Sequence, residues 1–456
     1  MKTVAVLLAG GQSRRMGQPK AGLSLSSGEA IGQQTERLLS WLADEVLIAG
    51  HGHGFEPQEG TRIFIDPPGT EGAMHALAQL PLPEDTDFVL VSACDQPGLD
   101  LSALRLLCAR ANVDTGAAFV DQSGARQPLP CCLPIELWKA LIKAVEEGQR
   151  RLAGFVSGQN ISWLINQRGS WLPGVNTPEQ WHMWRRDHDP DSVATVRVES
   201  GEAQGTDDEV AIEAPLQILL GPAPLAVLMR TPGHDEELVT GFVLNEGIVE
   251  TLGDITSVAR CEDVELEAAR GHVIRVDLAP GAEIDVSKLA RNTYVGSSCG
   301  ICGQASIERA LAIRGHIEAP WLPRAEVITG LPEQLRQHQM AFARTGGLHG
   351  AALFDAAGQL WVVREDVGRH NAVDKVLGWL AQWSSSTPAL GLFVSGRVSF
   401  EIVQKALASE VAVVAGVSAP TSLAVDLANE ANISLWGFVR QGRANHYVRS
   451  VTTTRG

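Results

Sequence analysis

Thr3-Val4-Ala5-Val6-Leu7-Leu8-Ala9 runs straight into Gly10-Gly11-Gln12-Ser13-Arg14-Arg15-Met16-Gly17-Gln18-Pro19-Lys20. An unbroken apolar run with β-branched residues suits a strand buried on both faces, as in a parallel sheet. The glycine-rich, cationic loop then leaves the carboxyl end of that strand, where open α/β sheets hold ligands. Backbone N–H groups freed by glycine can cradle phosphates, and Arg14, Arg15 and Lys20 can neutralise them. The spacing is neither a P-loop nor the dinucleotide fingerprint, and a solvated basic turn remains an equal reading of the loop alone.

Working outward, the pattern keeps alternating as α/β units do. Gln33 to Leu42 predicts a helix, Glu45 to Ala49 a strand, Arg62 to Ile65 a strand ending at Asp66, and Gly72 to Leu80 a helix. Phe88 to Ser92 predicts a buried strand ending in Ala93-Cys94-Asp95-Gln96-Pro97. Asp95 has two readings: an oxygen ligand for Mg²⁺ facing the glycine loop, or a cap for the helix opening near Leu101.

A length of 456 residues implies two or three domains. A net charge of -16 disfavours a nonspecific nucleic-acid binder. Seven cysteines without framework spacing fit a reducing compartment. Met1 to Leu8 resembles a signal segment only superficially, and no apolar run approaches the ~20 residues that span a bilayer. A cytoplasmic protein without membrane insertion is expected. Arg185 to Asp191 and Glu199 to Glu209 are polar, so a linker is expected over 187–208, between domains at 1–186 and 209–456, although Ala194 to Val198 could pair as an edge strand.

Beyond the linker, Val210 to Leu220 and Ala226 to Met229 predict neighbouring strands, Glu236 to Asn245 a helix, and His272 to Leu278 a strand. Ser297-Ser298-Cys299-Gly300-Ile301-Cys302-Gly303 follows. A Cys-x-x-Cys serves as half a zinc site, a redox pair or a nucleophile with a helper. A zinc deaminase needs His-x-Glu before Pro-Cys-x-x-Cys, and here His316-Ile317-Glu318 comes after. Cys261 stands alone, so a zinc ribbon lacks its second pair. A nucleophilic thiol is the better reading. A loop from Thr345 to Gly350 precedes a strand, and the loops around His370, Ser395-Gly396-Arg397 and Ser418 to Ser422 then put Gly, Ser or Arg between a strand and a helix, as anion sites do. His349 and His370 taken singly are more often structural hydrogen-bonders.

Taken in order, Leu8-Ala9-Gly10-Gly11, Arg15-Met16-Gly17, Lys20, Asp66, Cys94-Asp95-Gln96-Pro97 and Val175-Asn176-Thr177-Pro178-Glu179 resemble the MobA-type molybdenum cofactor guanylyltransferases over about residues 1–185. The resemblance implies a Rossmann-like nucleotidyltransferase that joins GMP from GTP to molybdopterin. It puts Leu8, Ala9, Gly10, Gly11 and Asp66 on the nucleotide, Lys20 on phosphate and Asp95 on Mg²⁺. Pro19 and the stretch Ile48-Ala49-Gly50 depart from the family pattern, which leaves two alternatives: nucleotide binding without turnover, and use of CTP.

Cys299-Gly300-Ile301-Cys302-Gly303, Gly346-Gly347-Leu348-His349, Asp366 to Lys375, Ser395-Gly396-Arg397 and Ser418 to Ser422 resemble the FdhD-type formate dehydrogenase accessory sulfurtransferases over about residues 195–450. That resemblance implies an α/β, cytidine-deaminase-like core without zinc, and a homodimer through this domain. It implies a persulfide on Cys299, helped by Cys302, with sulfur received from a cysteine desulfurase. The acceptor is Mo-bis(molybdopterin guanine dinucleotide), bound along Phe438, Val439, Arg440, Gln441, Gly442 and Arg443, before insertion into formate dehydrogenase. The chain thus reads as a fusion of two consecutive steps of cofactor maturation.

Overall fold

The computed structural model describes the whole chain except residues 11–12, 14, 26–27, 51–53, 67–71, 122–123, 166–173, 189–190, 200–201, 262–270, 283–314, 319, 384–386 and 448–456. The chain divides into two units, Met1–Asp189 and Pro190–Gly456.

The first unit is built on a seven-stranded sheet in the order β3-β2-β1-β4-β6-β5-β7. Its strands are β1 (Thr3–Leu8), β2 (Glu45–Ala49), β3 (Arg62–Phe64), β4 (Phe88–Ala93), β5 (Gly116–Val120), β6 (Arg126–Pro134) and β7 (Ile161–Ile165). β1 pairs in parallel with both β2 and β4, and its side chains from Val4 to Leu7 are fully buried, as the apolar run requires. Leu8 stands level with Ala49 on one side and Ala93 on the other. The residues that follow, Gly10, Gly50 and Asp95, therefore leave one edge of the sheet together. The chain order reverses between β1 and β4, which makes that edge a ligand crevice.

The segment expected as a linker is paired instead. The helix Pro178–His188 is followed by β8 (Asp191–Glu199) and β9 (Glu202–Val210), which form an antiparallel hairpin with Val193 opposite Asp208. The edge strand allowed for over Ala194 to Val198 is present and longer: β-branched Val193, Thr195, Val196 and Val198 favour a strand despite few apolar neighbours. Glu209 accepts from Arg344 Nε at 2.6 Å. The strand expected from Val210 begins only at Ala214.

The second unit holds two sheets. A four-stranded one has the order β11-β10-β13-β12, from β10 (Ala214–Leu220), β11 (Ala223–Arg230), β12 (Ile255–Arg260) and β13 (Val273–Leu278). A six-stranded one has the order β15-β14-β16-β17-β18-β19, from β14 (His349–Phe354), β15 (Leu360–Asp366), β16 (Gly391–Val394), β17 (Val413–Gly416), β18 (Ser434–Arg440) and β19 (Arg443–Tyr447). β16, β17 and β18 run parallel, while β14, β15 and β19 are antiparallel to their neighbours.

The helices Asp235–Asn245 and Arg369–Trp383 join the region around the small sheet to that around the large one. They cross at Gly241 and Gly378. A Cβ on Gly241 would lie 2.0 Å from the Asp374 carbonyl oxygen, and one on Gly378 would lie 1.9 Å from the Glu237 carbonyl oxygen. Only glycine permits this approach. Gly378→Ala is expected to force the helices apart and destabilise the second unit by about 2–4 kcal/mol, as overpacking and lost contacts combine. Urea unfolding of the full chain measures it; an unchanged midpoint would mean that the crossing is loose.

Candidate functional site

The first unit carries a cavity of about 650 Å³ at the crevice edge, lined among others by Leu8, Ala9, Gly10, Arg15, Lys20, Asp66, Asp95 and Asn176. Every nucleotide-site residue singled out from sequence borders it, except Gly11, which lies outside the described residues. A Cβ on Gly10 would lie 2.8 Å from Asp66 Oδ2 and 2.9 Å from the Gly50 Cα. Gly50 itself has φ +111. Two backbones therefore touch here, and Asp66 is laid over one of them. This is why glycine stands after Ala49.

Asp95 is not the helix cap. That role belongs to Asp100, whose Oδ1 accepts from Ala103 N at 3.1 Å. Asp95 instead faces Lys20, with 3.4 Å between Lys20 Nζ and Asp95 Oδ2. Lys20 Nζ also donates to Asn176 Oδ1 at 2.7 Å. Asn176 comes from a strap that docks on Asp95: Val175 N donates to the Asp95 carbonyl at 2.8 Å. Asn176 Nδ2 donates to the Gly174 carbonyl, which fixes the amide with its oxygen toward the lysine. Sequence reading placed Asn176 in a motif but gave it no role; only the fold brings it to residues 156 and 81 positions earlier.

The donors suit Mg²⁺, which takes oxygen ligands. Asp95 and Asn176 each present an oxygen to one notch. Burial, with Asp95 adding, pushes the thiol of the neighbouring Cys94 up to about 12.

In the second unit, Cys299 and Cys302 lie outside the described residues. The other singled-out loops share one edge of the large sheet. Phe438 N donates to the Ser418 carbonyl at 3.0 Å, so the loops after β17 and within β18 are neighbours. Phe438 is exposed at φ +52, a left-handed conformation uncommon for an aromatic residue. Val439 is fully buried, so its side chain faces the core. Arg440 Nη1 donates to the carbonyls of Val417 and Val439, tying the two loops. Gln441 and Gly442, the latter at φ +74, turn the chain, and Arg443 opens β19 opposite Arg440. Farther along the edge, His370 Nε2 lies 2.8 Å from Glu401 Oε2. That bond holds Glu401 below the usual carboxylate range. Burial lowers the pKa of His349, and Arg369 adds to the effect.

The FdhD/NarQ family model matches residues 211–453, more than half of the chain. The chain belongs to the FdhD/NarQ family. It also carries a MobA-like NTP transferase domain, matched over residues 5–160. "Sulfur carrier protein FdhD" of Mycolicibacterium paratuberculosis is 45% identical over 258 residues, covering 55% of this chain and 94% of that protein. The protein of the same name from Sulfolobus acidocaldarius is 40% identical over 256 residues, covering 56% and 95%. A solved structure, molybdopterin-guanine dinucleotide biosynthesis protein A from Archaeoglobus fulgidus, is 16% identical with a TM-score of 0.32, covering 40% of this chain and 95% of that one.

In this FdhD/NarQ chain, the glycine pair Gly346-Gly347 before His349 is reached through a short helix, Met340–Thr345. Glu365 accepts from Ala341 N at 3.0 Å and Phe342 N at 2.8 Å. Burial raises its pKa from 4.5 to about 7, against those bonds and Lys375. For a carboxyl raised on folding, the stabilisation is complete below the unfolded pKa and is lost as pH rises through about 7. Glu365→Gln cannot ionise. It is expected to unfold later than the parent at pH 8, by roughly 2–3 kcal/mol, with the gap closing near pH 5. Urea midpoints at the two pH values check this, and a gap independent of pH would refute it.

Proposed function

We propose that the chain performs two consecutive steps of molybdenum cofactor maturation. The first unit transfers GMP from GTP to molybdopterin. The second, as a cytoplasmic homodimer, carries sulfur from a cysteine desulfurase to the guanine dinucleotide cofactor destined for formate dehydrogenase. One observation carries this reading: a chain of the FdhD/NarQ family also has a cavity where Lys20, Asp95 and Asn176 meet at the carboxyl ends of β1 and β4.

In the first step a phosphate oxygen of molybdopterin attacks the α-phosphorus of GTP. The new P–O bond replaces the bond to the bridging oxygen, and pyrophosphate leaves. Lys20 and Arg15 offer positive charge to the phosphates, and the glycine loop offers backbone N–H groups. Mg²⁺ held by Asp95 and Asn176 would supply further neutralisation of the leaving pyrophosphate. In the second step the Cys299 thiolate attacks the outer sulfur of the desulfurase persulfide. A new S–S bond forms on Cys299, and the desulfurase thiolate departs. Cys302 is the helper. Phe438 offers a face on which guanine can stack, Arg443 and the loop after β17 offer donors to a diphosphate, and Arg440 holds those loops together.

The rival for the first unit, nucleotide binding without turnover, is motivated by the departures from the family pattern at Pro19 and Ile48-Ala49-Gly50. Pyrophosphate release with GTP, molybdopterin and Mg²⁺ separates the two. Asp95→Asn should reduce release on the order of 100-fold or more while leaving sulfur loading intact. Absence of release from the parent chain would favour the rival. After incubation with desulfurase and cysteine, the Cys299 peptide should gain the mass of one sulfur, about 32 Da, and Cys299→Ala should not. An adduct found wholly on Cys302 would reverse the two roles.

A further inference from the structure

Lys20 sits where a cation ligand set is waiting. Its Nζ lies 2.7 Å from Asn176 Oδ1 and 3.4 Å from Asp95 Oδ2, and the side chain is only 17% exposed. The Asn176 amide and the strap that carries it are held by bonds of their own. Asn176 N accepts no choice of position, since it donates to Gln180 Oε1 at 2.7 Å while Nδ2 donates to Gly174. Lys20 N in turn donates to Ser13 Oγ at 3.2 Å, which anchors the lysine backbone but not its long side chain. One fixed amide oxygen and one carboxylate oxygen therefore share one movable ammonium.

The geometry points to Lys20 as the resident cation of this notch: before nucleotide binds, its ammonium blocks the divalent cation, and it leaves when a triphosphate arrives with the metal. This rests on the nucleotidyltransferase reading and adds an order of events to it. A divalent ion needs both oxygens at about 2.0–2.1 Å, so it cannot share them with an ammonium at hydrogen-bond distance. Two cations so close repel strongly in a partly enclosed cavity. Triphosphate oxygens remove the conflict by giving the ammonium a better partner a short swing away. Metal and nucleotide then bind cooperatively, because each relieves a barrier to the other. The other charged groups lining the cavity are Arg15 and Asp66, and neither has a bond to the notch among the described contacts.

The test is Mn²⁺ binding to the full-length chain, read by the electron paramagnetic resonance of free Mn²⁺, with and without a non-hydrolysable GTP analogue. Without nucleotide the parent should bind Mn²⁺ weakly, and Lys20→Met should bind it at least about tenfold more tightly. Lys20→Arg keeps the charge and should stay weak. Arg15→Met removes a charge from the same cavity but not from the notch, and should change affinity little. Asp95→Asn added to Lys20→Met should abolish the gain. Equal affinity of parent and Lys20→Met, or an equal gain from Arg15→Met, overturns the inference. A gain that survives Asp95→Asn overturns it as well. Failure of the parent to bind Mn²⁺ even with the analogue overturns instead the nucleotidyltransferase reading, which the nucleotide-free comparison does not use.

Discussion

The second unit depends on one buried carboxylate. Asp366 is fully buried and collects Thr231 N, Gly368 N, Asn371 Nδ2 and Lys375 Nζ at 2.8–3.1 Å. Its oxygens have no water to turn to, so each donor has to be in place. Those donors come from the end of β11 and from the start of the helix Arg369–Trp383, and Asn371 Nδ2 also reaches the Met229 carbonyl. The small and large sheets are thereby fastened at one point. The glycine crossing follows from it, because the helix starting at Arg369 has nowhere else to run. Further along, Asp374 takes Asn245 Nδ2 and Lys405 Nζ. Burial works against the Lys405 charge, but Asp374 and Glu246 outweigh it and raise its pKa. Arg364 closes on Glu237 by two bonds of 2.6 and 2.7 Å. Such pairs add little net stability but tolerate no alternative packing, since losing one partner strands the other.

The first unit is arranged on a different principle. Parallel strands bring short loops to one edge, and function is placed on the residues just beyond the hydrogen-bonded register. Two aspartates five positions apart divide the work there. Asp100 is consumed by its own helix, whereas Asp95 is left to face the cavity. The Gly10–Gly50 contact sets the depth of the crevice, and the strap carrying Asn176 closes it from a distant part of the chain.

The sequence made much of this legible. Unbroken apolar runs announced β1 and β4, and glycine with cations announced the loop that borders the cavity. Ordered motifs then joined each half to a family. Three things were hidden. Of the hairpin β8–β9 only an edge strand over Ala194 to Val198 could be read, because the partner strand Glu202–Val210 is mostly polar. Asn176 acquires its role only when a long-range bond reaches Lys20. The loop around His370 reads as an anion site, yet Asp366 and Asn371 in it are buried and bond their own scaffold, as do Asp374 and Lys375 in the helix that follows. Only Arg369 and His370 between Asp366 and Lys375 stay near the crevice edge. A motif that fastens two sheets and a motif that binds a ligand have the same mixture of charged and small residues, and only burial tells them apart.

The strap has a consequence for synthesis. Domains emerge from the ribosome and fold from the amino terminus onward. The cavity of the first unit cannot be finished when its central strands form, because its last wall arrives with Asn176, just before the hairpin of the second unit. The large sheet has the same character, since its edge with the Phe438 to Arg443 turn is completed only by β18 and β19. Each candidate site therefore matures only when the late strands or strap of its own unit are made, and the order of completion along the nascent chain is the order in which the two proposed reactions occur.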